Sequence, residues 1–165
     1  MTEELEVSSS LNVEHDREMF HRRATEMALE LLDYPQVELT IVHSFSEGIY
    51  SREMTAPTGC LVIGYRHKFP HVNIVLTGRA RLVVNGESRF VEAPCVIHSE
   101  AGTQKMAYVE EEMRWVTIHA NPTDNRDILT LEEELFDIPP EIMDRKGNML
   151  LEDFRMSQNQ LKESA

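Results

Sequence analysis

The chain contains 165 residues, of which 41% are hydrophobic, and its 16 basic and 29 acidic side chains give a net charge of -13. This length and hydrophobic share predict one folded domain with a core of ordinary size. Binding of nucleic acid through bulk charge requires clustered Lys and Arg. The acidity therefore argues against DNA or RNA as a partner.

The negative charge is concentrated at the two ends of the chain. Residues 1–34 hold three basic and nine acidic side chains, residues 35–123 hold eight and nine, and residues 124–165 hold five and eleven. The middle of the chain is therefore close to neutral.

Cysteine usage and hydropathy predict a soluble cytoplasmic protein that does not cross a membrane. Cys60 and Cys95 form no disulfide framework, and the N-terminus is acidic where a signal peptide is basic. No stretch approaches the roughly 18 apolar residues of a membrane span.

Residues 1–34 are predicted to form a disordered leader over residues 1–12 and an amphipathic helix over residues 15–32. Apolar residues, among them Met19, Met27 and Leu31, recur in this helix at helical spacing. We place His15 and His21 on the surface of the helix.

Residues 35–122 consist of eight or nine short segments rich in Val, Ile, Thr and aromatic residues, separated by turn signals. Such spacing predicts a closed antiparallel barrel or sandwich. Asn85-Gly86 predicts a type I′ hairpin turn. Glu110 to Glu112 are interpreted as a solvated turn between two strands.

Residues 123–165 are predicted to form a helix and an acidic tail packed on the same domain. Asp124 is the candidate N-cap, and Ile128, Leu131 and Leu135 share one face. Pro139-Pro140 ends the helix, and residues 149–154 are expected to dock before a frayed tail.

Residues 59–78, GCLVIGYRHKFPHVNIVLTG, resemble the first motif of the cupin superfamily, which runs Gly, five residues, His-x-His, three or four residues, Glu, six residues, Gly. Gly59 and Gly78 stand in register with the two glycines. Tyr65 occupies the first His position, His67 matches the second, and His71 replaces the Glu. The resemblance implies an all-β fold, a cupin-type double-stranded β-helix (jelly-roll barrel) with flanking N- and C-terminal α-helices.

The second cupin motif is recognisable by Gly102, which aligns with its central glycine. This alignment puts Lys105 where that motif has its metal-binding His, and Glu100 where it has Pro. Residues 45–135 as a whole are similar to small uncharacterised cupin-like proteins of tailed bacteriophages and prophages. That likeness implies a bacterial host cell as the setting and names no activity.

Strand alternation provides an independent argument for a metal site. It puts Tyr65 and His67 on one face of a strand, and it puts His71, Asn73 and Val75 on one face of the following strand. A turn at residues 68–70 would therefore bring the imidazoles of His67 and His71 together. Two imidazoles favour a divalent transition metal such as Zn, Fe, Ni or Mn. A third donor is needed, and the candidates are His119, Tyr65, His98 and His43. His119 is our choice, with His67 and His71.

Lys105 suggests a different occupant for the same barrel. If it points inward beside His67 and His71, the cavity is positive and lacks the motif's glutamate, which favours a small anion. Lys105, Tyr65 and Asn73 are the candidate ligand-binding residues, and Tyr65 and Lys105 are the candidates for catalysis.

Three functions remain open from the sequence. The first is a metal-binding cupin, possibly an enzyme on a small anionic substrate, whose reaction does not follow from the residues. The second is a phage-type binding module that sequesters an anionic metabolite or nucleotide without catalysis. The third is a structural or assembly protein. A homodimer is expected in each case.

Overall fold

The computed structural model describes residues 2–143 and their side chains from residue 13 onward. The helices and strands that begin and end within this part of the chain follow one another in a fixed order. They are α1 (Thr2–Leu31), β1 (Thr40–Ser46), β2 (Ile49–Ala56), β3 (Leu61–Ile63), β4 (Arg66–His67), β5 (His71–Val84), β6 (Glu87–Glu92), β7 (Cys95–Ser99), β8 (Lys105–Ala120), α2 (Ile128–Leu135) and β9 (Phe136–Asp137).

Seven of the strands form one antiparallel sheet that folds into two halves, because the long strands β5 and β8 pass through both. In the first half the strand order is β1-β2-β8-β5-β7, and in the second half it is β3-β8-β5-β6. The fold is therefore the predicted all-β jelly roll with flanking helices. β4 and β9 pair separately.

The bend between the halves lies where the β5–β8 register shifts, between Val75 and Ala80. Gly78 has φ +83°, and a Cβ there would collide with the backbone carbonyl of Glu112. The prediction of a turn at Glu110 to Glu112 was wrong. These residues lie within one continuous strand, which bends instead of ending.

The main core lies between the two halves and draws residues from both. Its buried members are Ala56, Cys60, Val75, Ala80, Leu82, Val109, Met113 and Trp115. Burial of this apolar surface stabilises the sandwich. The Asn85-Gly86 turn is confirmed, since both residues have positive φ and join the paired strands β5 and β6.

α1 differs from the prediction at its start and on its inner face. It begins at Thr2, so the expected disordered leader is helical. His21 is 8% exposed, and its Nδ1 lies 2.7 Å from Oε1 of Gln104. The prediction that His21 is a surface residue was therefore wrong, because this side chain anchors the helix to the barrel.

α2 closes one end of the barrel. Leu131, Leu135 and Phe136 form a second apolar cluster with the buried Tyr50. The N-cap is Asp127, whose side chain accepts from the backbone N–H of Thr130. The predicted cap, Asp124, instead accepts from the backbone N–H of Gly48.

Two further expectations can be compared with the described residues. No helix among residues 2–143 combines the length and the apolarity needed to cross a membrane. The docking segment expected at residues 149–154 lies outside the described residues.

Candidate functional site

The inner face of the first half changes from apolar to polar toward the end that α2 covers. Strand register places the inward residues in rows across the sheet, since alternate residues share a face. The row within the core is Ile41, Met54, Trp115, Val75 and Cys95. The next is His43, Arg52, Thr117, Asn73 and Ile97, and the last is Phe45, Tyr50, His119, His71 and Ser99.

The three predicted metal ligands, His67, His71 and His119, lie together at this polar end. The ring centroids of His67 and His71 are 3.7 Å apart, and those of His119 lie 5.2 and 5.4 Å from them. The rings stack with interplanar angles of 14 to 30°. Phe136 packs edge-on against His67 and His119 from β9.

Lys105 reaches the histidines from the opposite half of the sandwich. Its Nζ donates to Nε2 of His71 at 3.0 Å, and Nδ1 of His71 donates to the carbonyl oxygen of Phe69 at 3.1 Å. These two partners fix the neutral tautomer of His71, with the proton on Nδ1. The lone pair of His71 is therefore taken by an ammonium group.

Three buried nitrogen atoms of the cluster have no hydrogen-bond partner among the described residues. They are Nδ1 of His67, Nε2 of His119 and Nε of Arg52. A buried polar group without a partner costs about 1–3 kcal/mol. Two further buried nitrogens in this state among the described residues, Nε2 of His21 and Nε of Arg79, lie elsewhere. Three of the five therefore share one cluster, which makes it the best place for a hydrogen-bonding ligand.

The electrostatic surroundings keep the three imidazoles neutral. Burial, followed by the nearby Lys105, lowers the pKa of His71 to about 4. Burial, followed by the neighbouring basic groups His71, Arg52 and Lys105, lowers the pKa of His119 to about 4. Burial, followed by the neighbouring basic groups His71 and Lys105, lowers the pKa of His67 far below its usual range. The charged groups that act on the three rings are all bases.

Lys105 and Arg52 supply the positive charge of the cluster. Burial, with a smaller contribution from Arg89, lowers the pKa of Lys105 to about 8, so the ammonium form still predominates at neutral pH. Arg52 is always charged. The cluster thus combines two cations with neutral imidazoles.

Tyr50 and Tyr65 lie on the α2 side of this cluster. Burial raises the pKa of Tyr50 to about 12, and it also raises the pKa of Tyr65. Arg52 and Glu132 act on both phenols in opposite directions. Both tyrosines are therefore neutral hydroxyl groups near neutral pH.

Asn73, a predicted ligand-binding residue, is occupied by the protein. Its Oδ1 accepts from Trp115 Nε1 and Thr117 Oγ1, both at 3.1 Å. Its Nδ2 donates to Ser99 Oγ at 3.1 Å. The side chain is 1% exposed. Asn73 therefore ties the inner rows together and offers nothing to a ligand.

The other candidate donors lie outside the cluster. His98 is exposed on β7, on the face opposite to Cys95. His43 is half-buried, and its Nδ1 lies 2.8 Å from the hydroxyl oxygen of Tyr50. Neither stands among the three convergent rings.

Two surface concavities border the cluster. One, of about 450 Å³, includes His71 and His119 in its lining, beside Gly48 and Pro70. The other, of about 700 Å³, lies between α1 and the C-terminal elements and includes Tyr65 and Phe136. The first concavity therefore reaches His71 and His119 directly, whereas the second reaches Tyr65 and Phe136.

The donor set does not fit a divalent metal in the arrangement described. Among the side chains of residues 13–143, no group of three or more His, Cys, Asp or Glu residues is placed to hold a metal ion. Metal ligands direct nitrogen lone pairs at one point about 2 Å away. Here the rings stack face to face, and Lys105 takes the lone pair of His71.

Arg52 is the site residue that the sequence analysis missed. Alternation along IYSREM puts Arg52 on the same strand face as Tyr50. A charged side chain at a position that alternation turns inward could have identified it as a site residue. This signal went unused because the pairing of β2 with β8, which places Arg52 opposite Thr117, is a long-range contact.

Comparison with known proteins gives structural neighbours only. Neither a family model nor a curated protein matches the chain. A Cupin 2 conserved barrel domain protein from Salinispora arenicola is 18% identical, with 52% of this chain and 77% of that chain covered and a TM-score of 0.45. The plu4264 protein from Photorhabdus luminescens is 15% identical, with 59% and 88% covered and a TM-score of 0.47.

A third neighbour is a larger enzyme. Salicylate 1,2-dioxygenase from Pseudoaminobacter salicylatoxidans, solved as adducts with gentisate, is 15% identical and has a TM-score of 0.48. The match covers 64% of this chain and 32% of that one. At such identities the likeness concerns the fold alone.

Proposed function

We propose that the protein is a cupin-like binding module that holds a small anion, a phosphate or carboxylate group, at the polar end of its barrel. The observation that carries the proposal is the cluster of buried nitrogen atoms without partners on His67, His119 and Arg52. A ligand that brings several acceptor oxygens supplies the hydrogen bonds that these nitrogens lack.

The charge of the cluster supports an anion. Lys105 and Arg52 are positive at neutral pH, and the neutral imidazoles of His67 and His119 each have one N–H that a ligand oxygen can accept from. Hydrogen bonds from charged donors to an anionic oxygen are roughly twice as strong as those between neutral groups. The carboxylate of Glu132 acts on Tyr50 and Tyr65 and would repel an anion. The anion therefore belongs on the side of these phenols that faces the histidines.

The role that fits such a site is sequestration of an anionic metabolite or nucleotide through its acidic group. The similarity of residues 45–135 to phage proteins gives this role a setting in an infected bacterium. Tyr65 and Lys105, the candidates for catalysis, act here as binding groups. The ligand should accordingly leave the protein chemically unchanged.

A transition-metal site is the second candidate. The convergence of His67, His71 and His119 within 5.4 Å favours it, as do the two imidazole nitrogens without partners. Metal binding would require the His71 ring to leave Lys105 and the stacked rings to turn. In that case Zn, Fe, Ni or Mn would supply Lewis acidity or redox chemistry.

Isothermal titration calorimetry with inorganic phosphate and with malonate tests the proposal. We expect binding of at least one of the two, weakened tenfold or more in Lys105→Met and in Arg52→Met, since each variant removes a charged donor. Arg81→Met is the matched control, because Arg81 is exposed on the outer face and pairs with Glu110. It should bind like the unchanged protein.

The same titration distinguishes the alternatives. If neither phosphate nor malonate binds and Zn²⁺ binds tightly, the metal site replaces the proposal. Absence of binding by anions and metals alike would leave an inert barrel and overturn both. Chromatography of the recovered ligand checks that it is unchanged.

A further inference from the structure

The concavity of about 700 Å³ lies outside the barrel, between α1 and residues 136–143. We call it the α1 cavity. Its volume falls within the roughly 300–1,000 Å³ that is typical of small-molecule sites. Among the described residues, its lining includes His21 and Gln104 but none of the three histidines of the barrel cluster. The α1 cavity is therefore distinct from the proposed anion site.

His21, in the wall of this cavity, has a buried nitrogen atom without a partner. Its side chain is 8% exposed, and Nε2 has no hydrogen-bond partner among the described residues. Nδ1 donates to Oε1 of Gln104, because the amide nitrogen of Gln104 already donates to the carbonyl oxygen of Gly64. In a neutral imidazole whose Nδ1 carries the proton, Nε2 is an acceptor. The ligand that completes His21 is therefore a hydrogen-bond donor.

The rim of the α1 cavity has a negative balance of charge. Its lining contains four carboxylates and three cations, namely Glu18, Glu26, Glu133, Asp137, Arg22, Arg66 and Lys68. Arg66 binds Glu18 at 2.9 Å and lies 4.0 Å from Asp137, and Nζ of Lys68 donates to the backbone carbonyl oxygen of Glu133 at 2.6 Å. The lining thus carries one carboxylate more than it carries cations, which a ligand with a single positive charge would balance.

Aromatic and aliphatic side chains form the remaining wall. The rings of Tyr65 and Phe136 lie with their centroids 6.1 Å apart and their planes inclined at 48°. Ile63, Ile138 and Ile142 continue this surface. Aromatic rings attract organic cations and also pack against other rings. The wall therefore suits a ligand that joins a positive group to an apolar, ring-bearing body.

We propose that the α1 cavity is a second binding site, which takes a small organic ammonium ion with an aromatic ring. The ammonium group donates to Nε2 of His21 and faces the carboxylates of the rim, and the ring packs against Tyr65 and Phe136. The proposal is independent of the anion site, where Lys105 and Arg52 would repel an ammonium ion. The two sites select ligands of opposite charge.

Isothermal titration calorimetry of the full chain with tryptamine and with indole-3-propionate tests the proposal. The two probes share an indole ring on a short carbon arm and differ in the charge at its end. We expect tryptamine to bind at least tenfold more tightly, since it alone brings N–H donors and a positive charge to the lining.

Variants of two lining residues locate the bound amine. Glu133→Gln should weaken tryptamine binding at least threefold, because it removes an exposed carboxylate from the rim. His21→Phe should weaken it at least tenfold, because it keeps a ring and removes the buried acceptor. Glu134→Gln is the matched control, since Glu134 accepts from Nδ2 of Asn125 and is not in the lining. It should bind tryptamine like the unchanged protein.

Circular dichroism checks the folding of each variant, and Glu133→Gln keeps the test decisive because its side chain is exposed. Absence of tryptamine binding would overturn the proposal, as would equal or tighter binding of indole-3-propionate. Tryptamine affinity that is unchanged in both Glu133→Gln and His21→Phe would place the amine elsewhere and overturn it too. The titrations with phosphate and malonate are separate, so failure here leaves the proposed function standing.

Discussion

At the scale of single residues, the barrel interior depends on which nitrogen atoms have partners. Lys105 donates to His71, and His71 donates to Phe69, so this histidine is satisfied on both sides. His67, His119 and Arg52 each keep one buried nitrogen without a partner in the described part of the chain. The unsatisfied groups and the satisfied one share a single cluster, and an acceptor from a ligand would pair with Nε of Arg52 and with whichever of the two imidazole nitrogens carries its proton.

A residue-scale prediction concerns His21, which anchors α1. Nε2 of Gln104 donates to the carbonyl of Gly64, so Oε1 is the atom that accepts from His21. We expect His21→Ala to lower the free energy of unfolding by about 1–3 kcal/mol, because it leaves Oε1 of Gln104 buried without a donor. Urea unfolding measures the change.

His15→Ala is the matched control on the same helix, since His15 is exposed. Its free energy of unfolding should stay within about 0.5 kcal/mol of the unchanged protein. Equal stability of the two variants would contradict the anchoring role of His21.

The residues also show what a sequence can and cannot reveal. Strand alternation and a turn at residues 68–70 indicated that His67 and His71 could approach each other. The inward position of Lys105 was only one of the possibilities that the sequence left open, and the structure has its Nζ against His71. The burial of His21 was missed, because helical periodicity identifies a core face only when that face is apolar. The occupation of Asn73 by Trp115 and Thr117 depends on cross-strand register, which local pattern does not contain.

At the scale of elements, the bend of β5 and β8 turns one sheet into two facing halves. It brings Lys105 of the second half to His71 of the first, so the site depends on it. The sequence predicted separate strands here, because the charged run Glu110 to Glu112 has the composition of a turn. In the structure Glu110 forms ion pairs with Arg79 and Arg81, and Glu111 forms one with Arg79.

An element-scale prediction follows for Gly78. We expect Gly78→Ala to destabilise the protein by at least about 2 kcal/mol more than Gly48→Ala. Both glycines have positive φ, but only at Gly78 does a Cβ collide with backbone, whereas at Gly48 it meets open space. Thermal unfolding followed by circular dichroism compares the two. Equal melting temperatures would contradict the close approach at the bend.

A second element-scale prediction concerns the cap of α2. Asp127→Ala should cost about 1 kcal/mol, since it removes the side-chain acceptor for the backbone N–H of Thr130. Asp127→Asn keeps an acceptor and should be nearly neutral. Chemical denaturation of both variants measures the difference, and a loss of stability in Asp127→Asn equal to that in Asp127→Ala would show that the hydrogen bond is not the cause.

At the scale of the whole molecule, the fold class was predictable and the closure of the barrel was not. Alternating apolar segments and the Asn85-Gly86 turn were sufficient for a closed antiparallel barrel or sandwich, and the resemblance of residues 59–78 to the first cupin motif implied the jelly roll. The position of α2 over Tyr50 and His119 is set by packing between distant residues.

The buried histidines give the stability a predictable pH dependence. The folded pKa values of His71 and His119, about 4, lie below the ordinary value of 6.5, so the unfolded state takes up protons that the folded state refuses. The contribution of these histidines to the free energy of unfolding should be fully present above pH 6.5. As the pH falls toward 4, the free energy of unfolding should decrease by about 1.4 kcal/mol per pH unit for each histidine.

Urea unfolding in a chloride buffer across this pH range measures the slope. Carboxylates add to it, and His119→Gln therefore serves as the comparison, because it removes the contribution of one histidine. A slope that is the same in His119→Gln and in the unchanged protein would contradict a neutral, buried His119.

The central claim is that the polar end of the barrel binds an anion through its histidines and Lys105. The most direct measurement is ¹⁵N NMR of the imidazole nitrogens during titration with inorganic phosphate and malonate. We predict saturable shifts of the His67 and His119 resonances with at least one anion, strongly weakened in Lys105→Met, while the exposed His15 on α1 stays unchanged. Silence of all three barrel histidines toward both anions, or a response to Zn²⁺ alone, would contradict the account.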